Sequence, residues 1–132
     1  MLVTNSNLYL CFAKKVLIIE DEIAMAKAMQ IKFQRSGIET EIATDGQQGL
    51  DLIRTSQYKV ALLDLMMPTV DGWEVLETIK QESLPIKIII TSNLNQDEDI
   101  TKAKELGAVS FLIKSNETLE NILEEVQKYI QE

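Results

Sequence analysis

Four apolar runs in this sequence each end in side chains that can do chemistry. Glu20 and Asp21 follow VLII, Asp64 follows VALL, Thr91 and Ser92 follow III, and Lys114 follows FLI. Taken singly, each has an ordinary explanation. Asp21 reads as a helix cap, Asp64 as a turn aspartate, Thr91 and Ser92 as turn hydroxyls, and Lys114 as a solvated charge. As a set they suit another task. Two carboxylates about 4 Å apart repel by roughly 4 kcal/mol at an effective dielectric near 20, so three brought together require a counter-charge. A few oxygen ligands with room left for water suit Mg²⁺, and Lys114 adds a second positive charge. An aspartate that attacks a phosphoryl group, with a metal and a lysine to neutralise the charge, fits these residues.

Composition removes several rivals. The 132-residue chain has no histidine and one cysteine, Cys11. Without histidine there is no ordinary zinc site and no Ser-His or Cys-His nucleophile pair. A single cysteine forms no internal disulfide, which makes the cytoplasm the expected setting. Thirteen Lys and Arg against 21 Asp and Glu give a net charge of −8, the wrong sign for a nucleic-acid partner. A dinucleotide site wants a glycine-rich first turn, yet the glycines stand at 37, 46, 49, 72 and 107 and the first turn is acidic. A phosphatase with an aspartate nucleophile wants a second aspartate two residues on, where Met66 stands. Residues 1–14, MLVTNSNLYLCFAK, hold too short an apolar core for a signal peptide or a membrane span. We read them as an N-terminal extension, a leftover or an extra strand, with no legible role. Residues 15–132 read as one domain.

For the reactive groups to meet, their strands have to lie side by side. Val16–Ile19 reads as a strand, and Ile23–Ser36 as a helix with Met25, Met29 and Phe33 on one face, stopped by Gly37. Thr40–Ala43 is a weaker strand. Gly46–Thr55 is a helix entered through Thr44 or Asp45. Val60–Leu63 is the strongest central strand, and a loop with Pro68 and Gly72 leads to a third helix carrying Val75, Leu76 and Ile79. After Pro85, Ile86–Ile90 is the fourth strand, ending at Thr91 and Ser92. Asn95 is expected to cap a fourth helix whose first turn holds Asp97, Glu98 and Asp99, suited to the macrodipole, and which ends at Gly107. Phe111–Ile113 is the fifth strand. Asn116 is expected to cap the last helix, with Leu119, Ile122, Leu123, Val126 and Ile130 on one face. Strand and helix alternate five times, and strands apolar on both faces imply an α/β doubly wound parallel sheet of the flavodoxin type. Function in such a sheet sits beyond the carboxyl ends of the strands, where these polar groups fall.

From about Lys15 onward the chain resembles the receiver domain of bacterial two-component response regulators, the CheY-like fold with strand order 2-1-3-4-5. The matching stretches are VLIIEDE, VALLDLMMPTVDGWEVL, IIITSN and GAVSFLIK, in that order. The resemblance implies that Asp64 is the phosphoacceptor. It implies that Glu20, Asp21, Asp64 and the backbone carbonyl of Met66 hold Mg²⁺, and that Lys114 pairs with the phosphoryl oxygens. A hydroxyl at the end of strand four would bond the phosphoryl group. The family's usual interval before the lysine points to Ser92, with Thr91 as the alternative. Phe111 falls at the switch aromatic, and Pro68 and Gly72 shape the loop that presents Asp64. The family usually places a proline after its lysine, through a cis bond. Here the pair is Lys114-Ser115, so the bond is either cis without proline, at about 3–4 kcal/mol, or trans with the lysine held differently.

Since the chain has no histidine, the resemblance implies a phosphohistidine donor on a sensor kinase or a histidine phosphotransfer protein. It implies no enzyme activity beyond promotion of the chain's own aspartyl phosphorylation and dephosphorylation. The phosphate would switch the face built by the fourth helix, fifth strand and last helix, for a downstream protein partner or a second copy of the chain. The chain stops at the last helix, so no output domain is expected, and neither is a direct nucleic-acid or membrane partner. The alternative is a pseudo-receiver, the same fold acting as a constitutive protein-interaction module. In receivers that this chain resembles, the residues two past the phosphoacceptor and two past the hydroxyl flank the approach of the hydrolytic water. Here they are Met66 and Leu94, both apolar, which implies a long-lived phosphoryl group.

Overall fold

The computed structural model describes residues 15–131, so the expected extension over 1–14 lies outside the described residues. The elements are β1 (Val16–Ile19), α1 (Ile23–Arg35), β2 (Thr40–Ala43), α2 (Gly46–Ile53), β3 (Val60–Leu63), α3 (Gly72–Gln81), β4 (Lys87–Ser92), α4 (Asp97–Glu105), β5 (Ser110–Ile113), a 3₁₀ turn (Lys114–Asn116) and α5 (Leu119–Ile130). The five strands form one parallel sheet in the order β2-β1-β3-β4-β5. This is the flavodoxin-like arrangement expected from the alternating pattern. No described helix is long and apolar enough to cross a membrane.

Strand alternation divides the core in two. Leu17, Ile19, Leu63, Ile88 and Ile90 pack in one layer with Leu50 and Ile53 of α2, Val75, Leu76 and Ile79 of α3, and Ala103 of α4. Val16, Ile18, Val60, Leu62 and Ile89 pack in the other, with Met29 and Phe33 of α1 and Ile122, Leu123 and Val126 of α5. Each large apolar side chain so buried contributes about 1.5–3 kcal/mol. Because both faces of β1 and β3 are covered, these strands carry no polar residue until their last rung, where Ile19 stands opposite Leu63. The next residue of each is a carboxylate.

Helix ends depart from expectation in instructive ways. Asn95 is not the cap of α4. That place falls to Gln96, whose side chain makes no capping bond, and the acids at 97, 98 and 99 face the helix dipole instead. Asn116 does not cap α5 either, because Lys114–Asn116 wind into the 3₁₀ turn first. Thr118 caps the helix, accepting the Asn121 N–H at 3.1 Å. Of the two candidates before α2, Asp45 is the cap and accepts the Gln48 N–H at 2.8 Å. Asp21 caps nothing: the N-cap of α1 is Glu22, without a side-chain bond. Strand β4 starts one residue later than expected and runs two further, because Thr91 and Ser92 still pair with Leu112 and Ile113.

Gly72 fixes how α3 meets the end of β3. Its N–H donates to the Leu65 carbonyl at 3.1 Å. A Cβ there would sit 2.4 Å from the Asp64 carbonyl oxygen and 2.5 Å from Leu65 Cα, backbone atoms that cannot step aside. Gly72→Ala is therefore expected to cost about 1–3 kcal/mol by overpacking and to lower the melting temperature by several degrees. A thermal melt unchanged by the substitution would show that the start of α3 yields freely.

Candidate functional site

Glu20 and Asp64 extend two neighbouring strands by one residue, and backbone bonds hold both in place. The Glu20 N–H donates to the Ala43 carbonyl at 3.0 Å and the Asp64 N–H to the Ile19 carbonyl at 3.1 Å. Both side chains are buried, with 1% and 5% of the residue exposed, while Asp21 stands in solvent beside them. One carboxylate oxygen from each of Glu20, Asp21 and Asp64 lies within 4.8 Å of the others. Lys114 comes from the opposite side. Its ammonium is 2.5 Å from Glu20 Oε1 and 3.3 Å from Asp64 Oδ2. The remaining Asp64 oxygen accepts the Met66 N–H at 3.1 Å, and Glu20 Oε2 accepts the Glu22 N–H at 3.2 Å.

The electrostatics are unbalanced. Three carboxylates face one ammonium, and Lys114 is the one cation paired with the cluster among the described residues. Burial pushes the Glu20 carboxyl above the usual range; the Lys114 ammonium pulls it back, and the charge on Asp64 pushes it up again. Burial by itself would lower Lys114, but the two carboxylates outweigh it and hold the ammonium above its ordinary value. Lys114 is therefore charged at neutral pH. Glu20 Oε1 is buried, and the Lys114 ammonium is its partner among the described residues. A group of three carboxylates with two negative charges uncompensated fits a small divalent cation with a preference for oxygen.

Alternation separates the two hydroxyls of β4. Ile88 and Ile90 belong to one core layer and Ile89 to the other. Ser92 therefore shares the face of Ile90, and Thr91 that of Ile89. Phe111, opposite Ile90 on β5, packs in the same layer as Ile90. Ser92 and Phe111 thus stand on one face, and Thr91 faces away from both. Ser92 is fully buried and its Oγ accepts the Leu94 N–H at 3.3 Å. Beside Asp64, a shallow cleft of about 470 Å³ is lined by Leu65, Met66, Met67, Asp71, Trp73 and Leu94. The Met66 side chain is 60% exposed at its rim.

The structure thus brings together Glu20, Asp21, Asp64 and Lys114, and sets Ser92 and Phe111 on a shared face of β4 and β5. The Lys114–Ser115 peptide is trans, as is every described peptide bond. Sequence reasoning missed Asn93, whose Oδ1 accepts the Ser115 N–H at 3.0 Å. No periodicity or spacing marks an asparagine in a loop, and the proline expected at 115 would have had no N–H to give.

Residues 16–127 match the family described as response regulator receiver domain. Sporulation initiation phosphotransferase F of Bacillus subtilis (strain 168) is 30% identical over 117 residues, covering 89% of this chain and 94% of that protein. The alkaline phosphatase synthesis transcriptional regulatory protein PhoP of the same organism is 31% identical over 101 residues, 76% of this chain and 42% of PhoP. The chain spans less than half the length of PhoP and of the other transcriptional regulators of this group that it matches. Among solved structures, the receiver domain of the Francisella response regulator 1452 superposes with a TM-score of 0.84 at 30% identity, covering 89% of this chain and 97% of that one. With its sheet order, its acid cluster and these relatives in agreement, the chain belongs to the response regulator receiver domains of two-component systems.

Proposed function

We propose that the chain is a phosphoacceptor whose Asp64 takes a phosphoryl group from a phosphohistidine on a sensor kinase or histidine phosphotransfer protein. The observation that carries this is the buried Asp64 carboxylate, 3.3 Å from the Lys114 ammonium and grouped with Glu20 and Asp21. An Asp64 oxygen forms a bond to phosphorus while the P–N bond of the phosphohistidine breaks. The imidazole leaves with the bonding pair and takes up a proton. Lys114 holds charge on the phosphoryl oxygens, the Ser92 hydroxyl donates to one of them, and Phe111 on the same face follows that movement. Glu20, Asp21, Asp64 and the Met66 carbonyl would hold Mg²⁺, which when bound neutralises the oxygens of the transferring group. Hydrolysis returns the carboxylate and releases inorganic phosphate. The chain promotes these two steps on itself and no other reaction, in a cytoplasmic setting. The face of α4, β5 and α5 then carries the signal to a downstream protein or a second copy of the chain.

Intact-mass measurement after incubation with phosphoramidate and Mg²⁺ tests the reading. Asp64→Asn should gain no phosphate, since an amide is no nucleophile here. A mutant that still gains one phosphate on a nearby acid would move the acceptor elsewhere. A wild-type chain that binds Mg²⁺ and never gains phosphate would leave a constitutive interaction module.

Thermal melts with and without Mg²⁺ read the acid cluster directly. Relief of the carboxylate repulsion should stabilise the fold by about 2.7 kcal/mol at a hundredfold excess over Kd. A melting temperature insensitive to saturating Mg²⁺ would contradict the metal assignment.

The apolar rim sets the lifetime of the phosphoryl group. Neither Met66 nor Leu94 can hold a water in line with a side-chain hydrogen bond, and both line the cleft beside Asp64. Decay after removal of donor is expected to be slow, and Met66→Asn or Leu94→Glu should speed it about tenfold. Rapid decay in the unmutated chain, indifferent to both changes, would assign the water to backbone groups or to another residue.

A further inference from the structure

Lys114 follows β5, an edge strand, yet its ammonium contacts carboxylates beyond β1 and β3. Adjacent strands lie about 4.8 Å apart, so the side chain crosses the whole width of β4 to reach Asp64 and goes further to Glu20. A lysine stem is flexible, and where its charge settles depends on where its backbone is held. The ladder that holds β5 ends at the rung between Ser92 and Ile113. Beyond that rung one bond to the β4 side continues: the Ser115 N–H donates to Asn93 Oδ1 at 3.0 Å. The Glu117 N–H closes the 3₁₀ turn on the Lys114 carbonyl at 3.3 Å. Asn93 thus supplies from its side chain the rung that the backbone no longer makes. The bond exists because residue 115 is a serine with an N–H to give.

We infer that Asn93 is a positioning residue for Lys114. Its amide oxygen holds the Lys114–Ser115 turn against the end of β4 and so directs the ammonium between Glu20 and Asp64. The inference deepens the phosphoacceptor reading and rests on it. Asn93 acts through the backbone of Ser115 and has no described contact with the carboxylates or the ammonium.

Asn93→Ala removes the acceptor, whereas Asn93→Asp keeps an oxygen in the same place. Two quantities distinguish them in the full chain: the rate of phosphate gain from phosphoramidate at saturating donor and Mg²⁺, and the Mg²⁺ affinity of the unphosphorylated protein by calorimetry. Asn93→Ala should lower the maximal rate about three- to tenfold, the worth of one hydrogen bond, with the half-saturating donor concentration unchanged. It should also bind Mg²⁺ about two- to threefold more tightly, because a displaced ammonium shields the carboxylates less. Asn93→Asp should restore the maximal rate to within about twofold of the original. A merely structural role would lower the melting temperature and leave both Mg²⁺ affinity and rate per folded molecule unchanged. That result, or an aspartate variant as slow as the alanine one, overturns the inference. If the unmutated chain gains no phosphate, the phosphoacceptor reading fails. The Mg²⁺ affinities then decide by themselves whether Asn93 places Lys114.

Discussion

The contact of one lysine with two buried carboxylates makes the most exacting demand on this structure. Removing a carboxylate from water costs several kcal/mol, and a partner repays that only when it is held close. Glu20, Asp64 and Lys114 are separated in sequence by 44 and 50 residues at successive steps, as their numbering shows. Sheet order resolves this. With β1 and β3 adjacent and in register, the residues after Ile19 and Leu63 emerge together. With β5 one strand beyond β4, a lysine following it lies within side-chain reach. An order that parted β1 from β3, or carried β5 further from them, would separate these charges.

The alternation of the strands does further work at the same edge. A shift of one residue along β4 would put Thr91 in place of Ser92 on the face of Phe111 and turn Ser92 towards α1 and α5. Register is secured at the ends of the isoleucine run, because a shift would carry Lys87 or Thr91 into a buried position now filled by Ile88 or Ile90. The packing of a core strand thus decides which hydroxyl stands on the face of Phe111. Gly72 does a related job on the other side of Asp64, where only a residue without Cβ lets α3 begin against the backbone of Asp64 and Leu65.

The parts of this architecture that were legible in the sequence are those governed by burial. VLII and VALL announce strands covered on both faces, and a carboxylate straight after each invites a question that only their convergence answers. The two asparagines named as caps were misread because composition near a helix start does not say which residue takes the extended conformation. At 116 a 3₁₀ turn intervened, and at 95 the loop ran on to Gln96. The end of β4 was set too early because threonine and serine look like turn residues until a partner strand keeps pairing with them. Asn93 was illegible for a deeper reason: its role depends on a loop 22 residues away, and no local pattern reports that bond.

The site and the core also answer each other energetically. Three carboxylates against one ammonium leave an excess of negative charge at the carboxyl end of the sheet, where burial first, and then the charge on Asp64, hold the Glu20 carboxyl above its usual range. Sites arranged for function are commonly destabilising, and the cost is offset elsewhere in the fold. Here the offset lies directly beneath, in β1 and β3, whose every residue is buried on one face or the other. Lys114 relieves part of the excess without cancelling it. Complete neutralisation by fixed protein charges would stabilise the resting fold and leave little for an arriving cation to gain. An acid cluster held short of neutrality, on strands apolar enough to tolerate it, keeps that gain available to the ligand.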